Sequence, residues 1–372
     1  MRIGNSPAIR NEIAAMTRET ARQEELNYRV AQCIGNRMTV AIDRPDFLRA
    51  VSELAGYYQV TRKRLLPLVV LGRRIGLSGS GLTDFIGKYL PHTTVYRAEE
   101  LMKDPYMERF AKVFCDDPMA EGSFRFERTH FNSGELFFDR EPAADGYGRV
   151  DAIGIMDGEA DYPALYENGR CWMSITPNEI VTMQAPLEEA SGDVLTLGLG
   201  LGYYAYMAHL RDEVKSVTVV EREPAVIGAF EKFLLPRFDH PEKIRIVRED
   251  AVRFLLDLED GVYSYCFADI WQDPLSGMET YLRTKAAGNR FRAMRCSYWI
   301  EESFIGALEQ SAANVLQFAF LGEDDAQMRG QAGYETMKQL LADTEIREPE
   351  EIRRMFGGTY VRELLQSRLT PR

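Results

Sequence analysis

Cysteine and histidine are scarce in this chain, and neither is arranged for metal or disulfide chemistry. Five cysteines (Cys33, Cys115, Cys171, Cys266, Cys296) stand far apart, with no C-x-x-C pair. Four histidines (His92, His130, His209, His240) are equally dispersed. Zinc-type spacing and a disulfide framework are both missing, so no metal is expected and a reducing cytoplasm is the natural compartment. No stretch reaches the ~18 consecutive apolar residues of a membrane span, and the first residues hold no apolar leader core, so no membrane partner is expected. Basic residues are in deficit as well: 45 Lys and Arg against 57 Asp and Glu leave a net charge of −12. A nucleic-acid binder carries a basic footprint, and this balance argues against one. The cluster Arg62, Lys63, Arg64 with Arg73 and Arg74 is the local exception. It flanks the apolar run Leu65–Leu71 and reads as the solvated rim of a helix. Acidity of this kind suits a cationic small molecule.

At 372 residues, 45% of them hydrophobic and 27% charged, the chain has the make-up of an ordinary globular protein with room for two domains. Residues 1–120 read as a helical N-terminal segment. Ile13, Met16, Leu26 and Val30 form a sparse stripe, and Pro45 opens a second helix with Phe47, Leu48, Val51, Leu54 and Ala55 at helical spacing. Gly72 through Gly81 interrupts the pattern; with no strand before it and no Lys-Ser/Thr after it, it reads as a connection rather than a phosphate loop. Such a segment could serve a homodimer interface. Residues 121–190 change to period two and read as a small antiparallel β-domain. Phe124–Phe131 is expected to return through the Asn132-Ser-Gly134 turn into Leu136–Phe138, with further hairpins at Asp157-Gly158 and Asn168-Gly169. From 191 to 345 strands and helices alternate, which implies a Rossmann-like, mostly parallel sheet with helices on both faces. Residues 346–372 read as a C-terminal helix.

The most informative stretch runs from Asp193 to Ile227. An apolar run, Val194–Leu197, enters a turn with Gly198, Gly200 and Gly202. A helical segment follows, and a second apolar run ends on Glu221. Glycines there let backbone approach a ligand where a Cβ would collide, and an acid at the second strand's tip can accept both hydroxyls of a ribose. Two later strand ends add to the set. Asp250 can accept from an adenine amine, with the Ala251 N–H available to a ring nitrogen. Asp269 faces the reacting end of the same ligand. Parallel sheets hold ligands at this carboxyl edge. The loop can also be parsed as Gly200-x-Gly202-x-x-Ala205, a dinucleotide pattern, and each acid can equally serve as a helix cap.

Val194-Leu-Thr-Leu-Gly198-Leu-Gly200-Leu-Gly202, Val219-Val-Glu221-Arg-Glu-Pro224-Ala-Val-Ile227, Arg248-Glu-Asp250-Ala251 and Phe267-Ala-Asp269-Ile-Trp-Gln-Asp273-Pro274 together resemble class I S-adenosylmethionine-dependent methyltransferases, specifically their spermidine synthase-like branch. The resemblance covers about residues 150 to 275. It implies an S-adenosyl cofactor held by Gly198, Gly200, Gly202, Glu221, Asp250 and Ala251, with Asp269 and Asp273 beside the reaction. The chain departs from the spermidine synthase pattern in carrying Leu201 where those enzymes have Asp in the glycine loop, and in spacing Asp269 and Asp273 four apart rather than three.

Three functions are open on this reading. The first is methyl transfer from S-adenosylmethionine to a small-molecule acceptor, with Asp269 orienting or deprotonating it and Asp273 in support. The second is aminopropyl transfer from decarboxylated S-adenosylmethionine to a polyamine. The third is a non-catalytic cofactor-binding or scaffold protein. Trp271 could cover the sulfonium or simply pack. Tyr203 and Tyr204 could touch the cofactor or serve the core, and Glu179 and Gln184 are weaker candidates for reaching the site from the β-domain junction.

Overall fold

The structure, a computed structural model, describes residues 1–41, 48–110, 113 and 119–370. Pro45 and Phe47, the expected start of the second helix, and Cys115 lie outside the described residues; the helix itself is described over Leu48–Tyr58. Helices Pro7–Gly35, Arg62–Arg74 and Gly79–Tyr89, with Leu48–Tyr58, make up about half of the N-terminal third. Gly72 does not interrupt its helix as expected. It lies inside, where a side chain would collide with Leu82 and Phe85 of the next helix. Strands were not anticipated in this segment, yet Arg2–Ile3 is one and Thr93–Tyr96 is another, running parallel to Ile153–Met156. Val30, Leu65, Leu68, Leu71, Tyr89 and Ile153 share one buried cluster.

The β-rich region forms a four-stranded sheet in the order Arg170–Ser174, Ala160–Glu167, Phe124–Phe131, Met119–Glu121. The Asn168-Gly169 hairpin forms as expected, with φ positive at both residues and Glu167 facing Arg170. The hairpin expected at Asn132–Gly134 does not form. Leu136–Phe138 leaves to pair with Ile153–Met156 in a separate sheet. The cause lies at the turn. Glu135 is buried, accepts from the Asn132 backbone and side-chain amides, and pairs with Arg37 at 2.8 Å. Gly134 donates to the Met156 carbonyl at 2.7 Å and accepts from Val40 N–H, which steers the chain onto its new partner. The strands on either side of Asp157-Gly158 likewise belong to different sheets.

Five parallel strands build the α/β half: Gly192–Leu197, Val214–Glu221, Ile244–Arg248, Tyr265–Ala268 and Arg295–Tyr298, here core strands one to five. Their order across the sheet is 3-2-1-4-5. Val194–Leu197 of strand one and the whole of strand four are buried, which is why both read as largely apolar runs. Leu197 pairs with Val220 on one side and Ala268 on the other. Gly198, Glu221 and Asp269 therefore leave the sheet at one level, where strands one and four diverge into helices on opposite sides of the order's reversal. The final helix expected over 346–372 is two helices, Pro349–Arg354 and Thr359–Arg368, parted by Gly357 and Gly358 at φ 93° and 88°.

The two ends of the chain are joined. Arg2–Ile3 pairs with Glu345–Ile346, and buried Ile9, Ile13 and Met16 of the first helix belong to the main core. That helix packs on helices Glu301–Leu321 and Pro349–Arg354. Beside it Arg149 is buried between Glu309, at 3.0 Å, and Glu302, at 2.9 Å, and Glu309 also accepts the Gly358 N–H. Among the described residues no helix is long and apolar enough to cross a membrane.

Candidate active site

A cavity of about 460 Å³ opens at the carboxyl edge of the parallel sheet. Gly198 and Gly200 form its floor with φ of 96° and 52°, both in backbone regions that side chains disfavour. A Cβ on Gly198 would strike the Asp269 carbonyl oxygen, and one on Gly200 would strike the Met173 sulfur. Gly202 serves differently. It sits at the helix start against the Phe230 ring, outside the cavity lining, where its φ of 74° turns the chain into helix Tyr203–His209.

Glu221 at the tip of strand two locks the loop to the sheet. Its Oε2 accepts from the Leu199 N–H at 3.1 Å and its Oε1 from the Glu223 N–H at 2.8 Å. Each carboxylate oxygen can accept a second hydrogen bond, so the group remains able to serve a ligand. Asp250 caps helix Ala251–Asp257 through a 2.9 Å bond from the Arg253 N–H, and both Asp250 and Ala251 line the cavity. Asp269, which lines the same space, is enclosed by protein but keeps part of its surface open to the cavity. Burial, and then the charge of Glu221, push its carboxyl up to about 7. Asp273, like Gly202, stands outside the lining that the other six residues expected at the site share. Its two oxygens take the Ser276 N–H and hydroxyl, both at 2.8 Å, and cap helix Pro274–Gly288. It lines a neighbouring groove of about 1270 Å³, which shares Gln272, Ser276 and Trp299 with the cavity.

The aromatic candidates divide between core and wall. Trp271 lines the cavity, but its Nε1–H donates to the Trp299 carbonyl at 3.1 Å and its ring packs edge-on against Tyr281 and Phe304. Tyr203 donates to Asp104 at 2.9 Å, and Tyr204 stacks on Phe267 at 4.2 Å, so both tyrosines serve the core. Gln184 is exposed and away from the lining. Glu179 is in it, with 9% of its surface exposed.

Sequence reasoning missed the roof. Strand Arg170–Ser174 brings Trp172 and Met173 over the cavity. The Leu201 N–H points at the Met173 sulfur at 3.2 Å, and Gln272 Nε2 reaches the Trp172 carbonyl at 3.4 Å. A Cys-Trp-Met run in a hairpin carries no chemical signature of its own. The signal that could have marked it was its position just ahead of the helix that leads into the glycine loop.

Fold and site together define a doubly wound α/β protein with a cavity at the carboxyl edge of its parallel sheet. No family model and no curated protein matches the chain. Among solved structures, spermidine synthase from Thermotoga maritima is similar at 17% identity and a TM-score of 0.26, over 40% of this chain and 58% of that one. A spermidine synthase in complex with the transition state analogue AdoDATO is similar at 17% identity and a TM-score of 0.29, over 44% and 64%. The C-terminal domain of precorrin-6Y C5,15-methyltransferase from Rhodobacter capsulatus is similar at 17% identity and a TM-score of 0.23, over 29% and 56%. The chain thus spans about three fifths of the length of the spermidine synthase structures it matches.

Proposed function

We propose that this protein binds an S-adenosyl cofactor and transfers a methyl group from S-adenosylmethionine to a small-molecule acceptor. The observation that carries the reading is the convergence of Gly198, Gly200, Glu221, Asp250, Ala251 and Asp269 on one cavity of about 460 Å³. That volume lies in the usual range for a cofactor-sized ligand. The fit is supported by the floor, where Gly198 and Gly200 leave no room for a Cβ against Asp269 and Met173, and by a lining acid at the ends of core strands two, three and four. Glu221 would take the ribose hydroxyls, and Asp250 with the Ala251 N–H the adenine edge.

The bound sulfonium supplies an electrophilic carbon and a good leaving group. The chain's own task is then to exclude water, align the acceptor and take its proton. Asp269 suits the last of these. A carboxyl with an affinity for protons near 7 is divided between its two forms at neutral pH, as a general base requires. Acceptors would approach through the groove that shares Gln272, Ser276 and Trp299 with the cavity. Two acids of that groove, Glu141 and Asp151, are pushed by burial up to about 7 and about 6.

Titration calorimetry with S-adenosylmethionine and S-adenosylhomocysteine tests the reading. Binding is expected in the wild type and its loss in Glu221→Ala; no heat at millimolar ligand overturns it. A second reading, aminopropyl transfer, is favoured by the acids Glu179 and Asp269, which would repel the cofactor's carboxylate. Tighter binding of decarboxylated S-adenosylmethionine, with consumption of a diamine, would select it.

A further inference from the structure

We infer that Cys266 and Cys296 form a redox pair in the parallel sheet, one that closes to a disulfide when the chain meets a hydroperoxide and reopens on reduction by a dithiol. Cys266 is the second residue of core strand four and Cys296 the second residue of core strand five, and the parallel register sets the two opposite each other. Register partners on neighbouring strands put their side chains on one face, with Cα atoms about 4.8 Å apart. A disulfide joins Cα atoms about 4.4–6.8 Å apart, so the bridge can form with the sheet intact. Both thiols are free. Cys266 is sealed in the core, whereas Cys296 is partly exposed on the edge strand, so an oxidant reaches Cys296 first. Three residues beyond each cysteine the chain enters the cavity lining, at Asp269 and at Trp299, so the bridge would tie together the two strands that carry those residues.

The surroundings give the two sulfurs different parts. Helix Pro274–Gly288 covers them closely: a Cβ on its last residue, Gly288, would lie 3.5 Å from the Cys296 sulfur and would strike the Tyr298 hydroxyl. The same helix supplies Lys285, whose Nζ lies 4.4 Å from the centre of the Tyr298 ring and donates to Glu301 at 2.8 Å. A hydrogen bond from Cys266, then the charge of Lys285 and the Tyr298 hydroxyl, hold the Cys296 thiol below the usual cysteine range against the effect of burial. That bond and burial hold Cys266 above it. Cys296 is therefore the attacking thiolate and Cys266 the resolving thiol. In the first step the Cys296 sulfur attacks one peroxide oxygen, the O–O bond breaks, and the other oxygen leaves as hydroxide or alkoxide. Cys296 is now a sulfenic acid. In the second step the Cys266 sulfur attacks the Cys296 sulfur, gives up its proton, and displaces the hydroxyl as water. Each sulfur has lost one electron, and the peroxide has taken both. Reduction restores both thiols, so the pair acts as a sensor rather than a staple.

The test is peptide mapping of the folded full chain after treatment with hydrogen peroxide, alkylation of the remaining thiols and digestion without reductant. The peptides that carry Cys266 and Cys296 should be recovered as one linked species, at least about tenfold over any other pairing, and dithiothreitol should separate them. The same treatment in urea, where the register is lost, should scatter the links among all five cysteines. Cys266→Ala should halt the reaction after its first step and leave a sulfenic acid at Cys296 that dimedone labels. Cys296→Ala should leave Cys266 reduced. Oxidation of the exposed Cys171 in the folded wild type, with Cys266 and Cys296 both still reduced, overturns the proposal. So does a folded chain that gives the same mixture of links as the chain in urea. These two outcomes are read in the wild type, so the proposal stays open to refutation even where a cysteine variant fails to fold.

Discussion

Alanine at Gly198 and alanine at Gly200 should have very different consequences, although the two glycines are two residues apart in one loop. At Gly198 the φ of 96° lies outside the small left-handed region open to side chains, and the added Cβ would meet the Asp269 carbonyl oxygen. That oxygen is fixed, because the Asp269 N–H donates to Leu197 at 2.8 Å and the neighbouring Ala268 carbonyl accepts from Trp299 at 2.9 Å. Backbone strain of about 1–3 kcal/mol and a steric term of about 1–3 kcal/mol combine to about 2–6 kcal/mol. A loss of that size is a large part of the ~5–15 kcal/mol that holds a typical domain folded. At Gly200 the φ of 52° is one that alanine can adopt for about 1–2 kcal/mol, and the obstacle is the end of the flexible Met173 side chain. Urea unfolding of both variants measures the difference. Gly198→Ala should be the less stable by at least about 2 kcal/mol. Gly200→Ala should fold but bind adenosine ligands more weakly, since its methyl would enter the cavity. Equal losses of stability, or a Gly198→Ala cost below about 1 kcal/mol, would refute the close-approach account.

Stability should fall as pH rises from about 4 to 7 in a way that Asp269→Asn removes. The folded state holds at about 7 a proton that the unfolded Asp269 releases near 3.8, so deprotonation favours unfolding throughout that window. Urea unfolding at pH 5 and pH 8 should show the variant gaining on the wild type at the higher pH. Arg149→Met should cost about 3–5 kcal/mol by leaving Glu309 buried without its cation, and Arg149→Met with Glu309→Leu should recover much of the loss in the same assay. Tyr106→Phe should cost about 1–2 kcal/mol, measured as a shift in unfolding midpoint, because the Tyr106 hydroxyl is the buried donor to the Leu201 carbonyl at 2.5 Å.

The core strands were legible because a parallel strand covered on both faces is an apolar run, as in Val194–Leu197 and Tyr265–Ala268. Core strand two ends on Glu221 and core strand four is followed at once by Asp269, so both acids could be marked without knowing the fold. Pairing between distant segments was not legible. Thr93–Tyr96 is a strand because Ile153–Met156 lies beside it, and nothing in its four residues announces this. Asn132–Gly134 has the composition of a hairpin turn, yet the Glu135–Arg37 pair decides where the chain goes next. Asp273 looked like a second catalytic acid because an N-cap and a site acid use the same side chain at the same point of a strand-to-helix turn. Glu179 was obscure for the opposite reason: it lines the cavity with a buried oxygen that has no partner among the described residues, which only three dimensions reveal.

The union of the chain's two ends bears on its synthesis. The helix Pro7–Gly35 is made well before the helices against which it packs, which come from residues 301–321 and 349–354. At ~5–20 residues per second, Ile9, Ile13 and Met16 would wait on the order of 15–60 s for those partners to be translated. Throughout that interval the nascent chain carries an unburied apolar stripe, while the parallel sheet can already assemble between the second strand and the fifth. Docking of that helix can be completed only after residues 349–354 have been made.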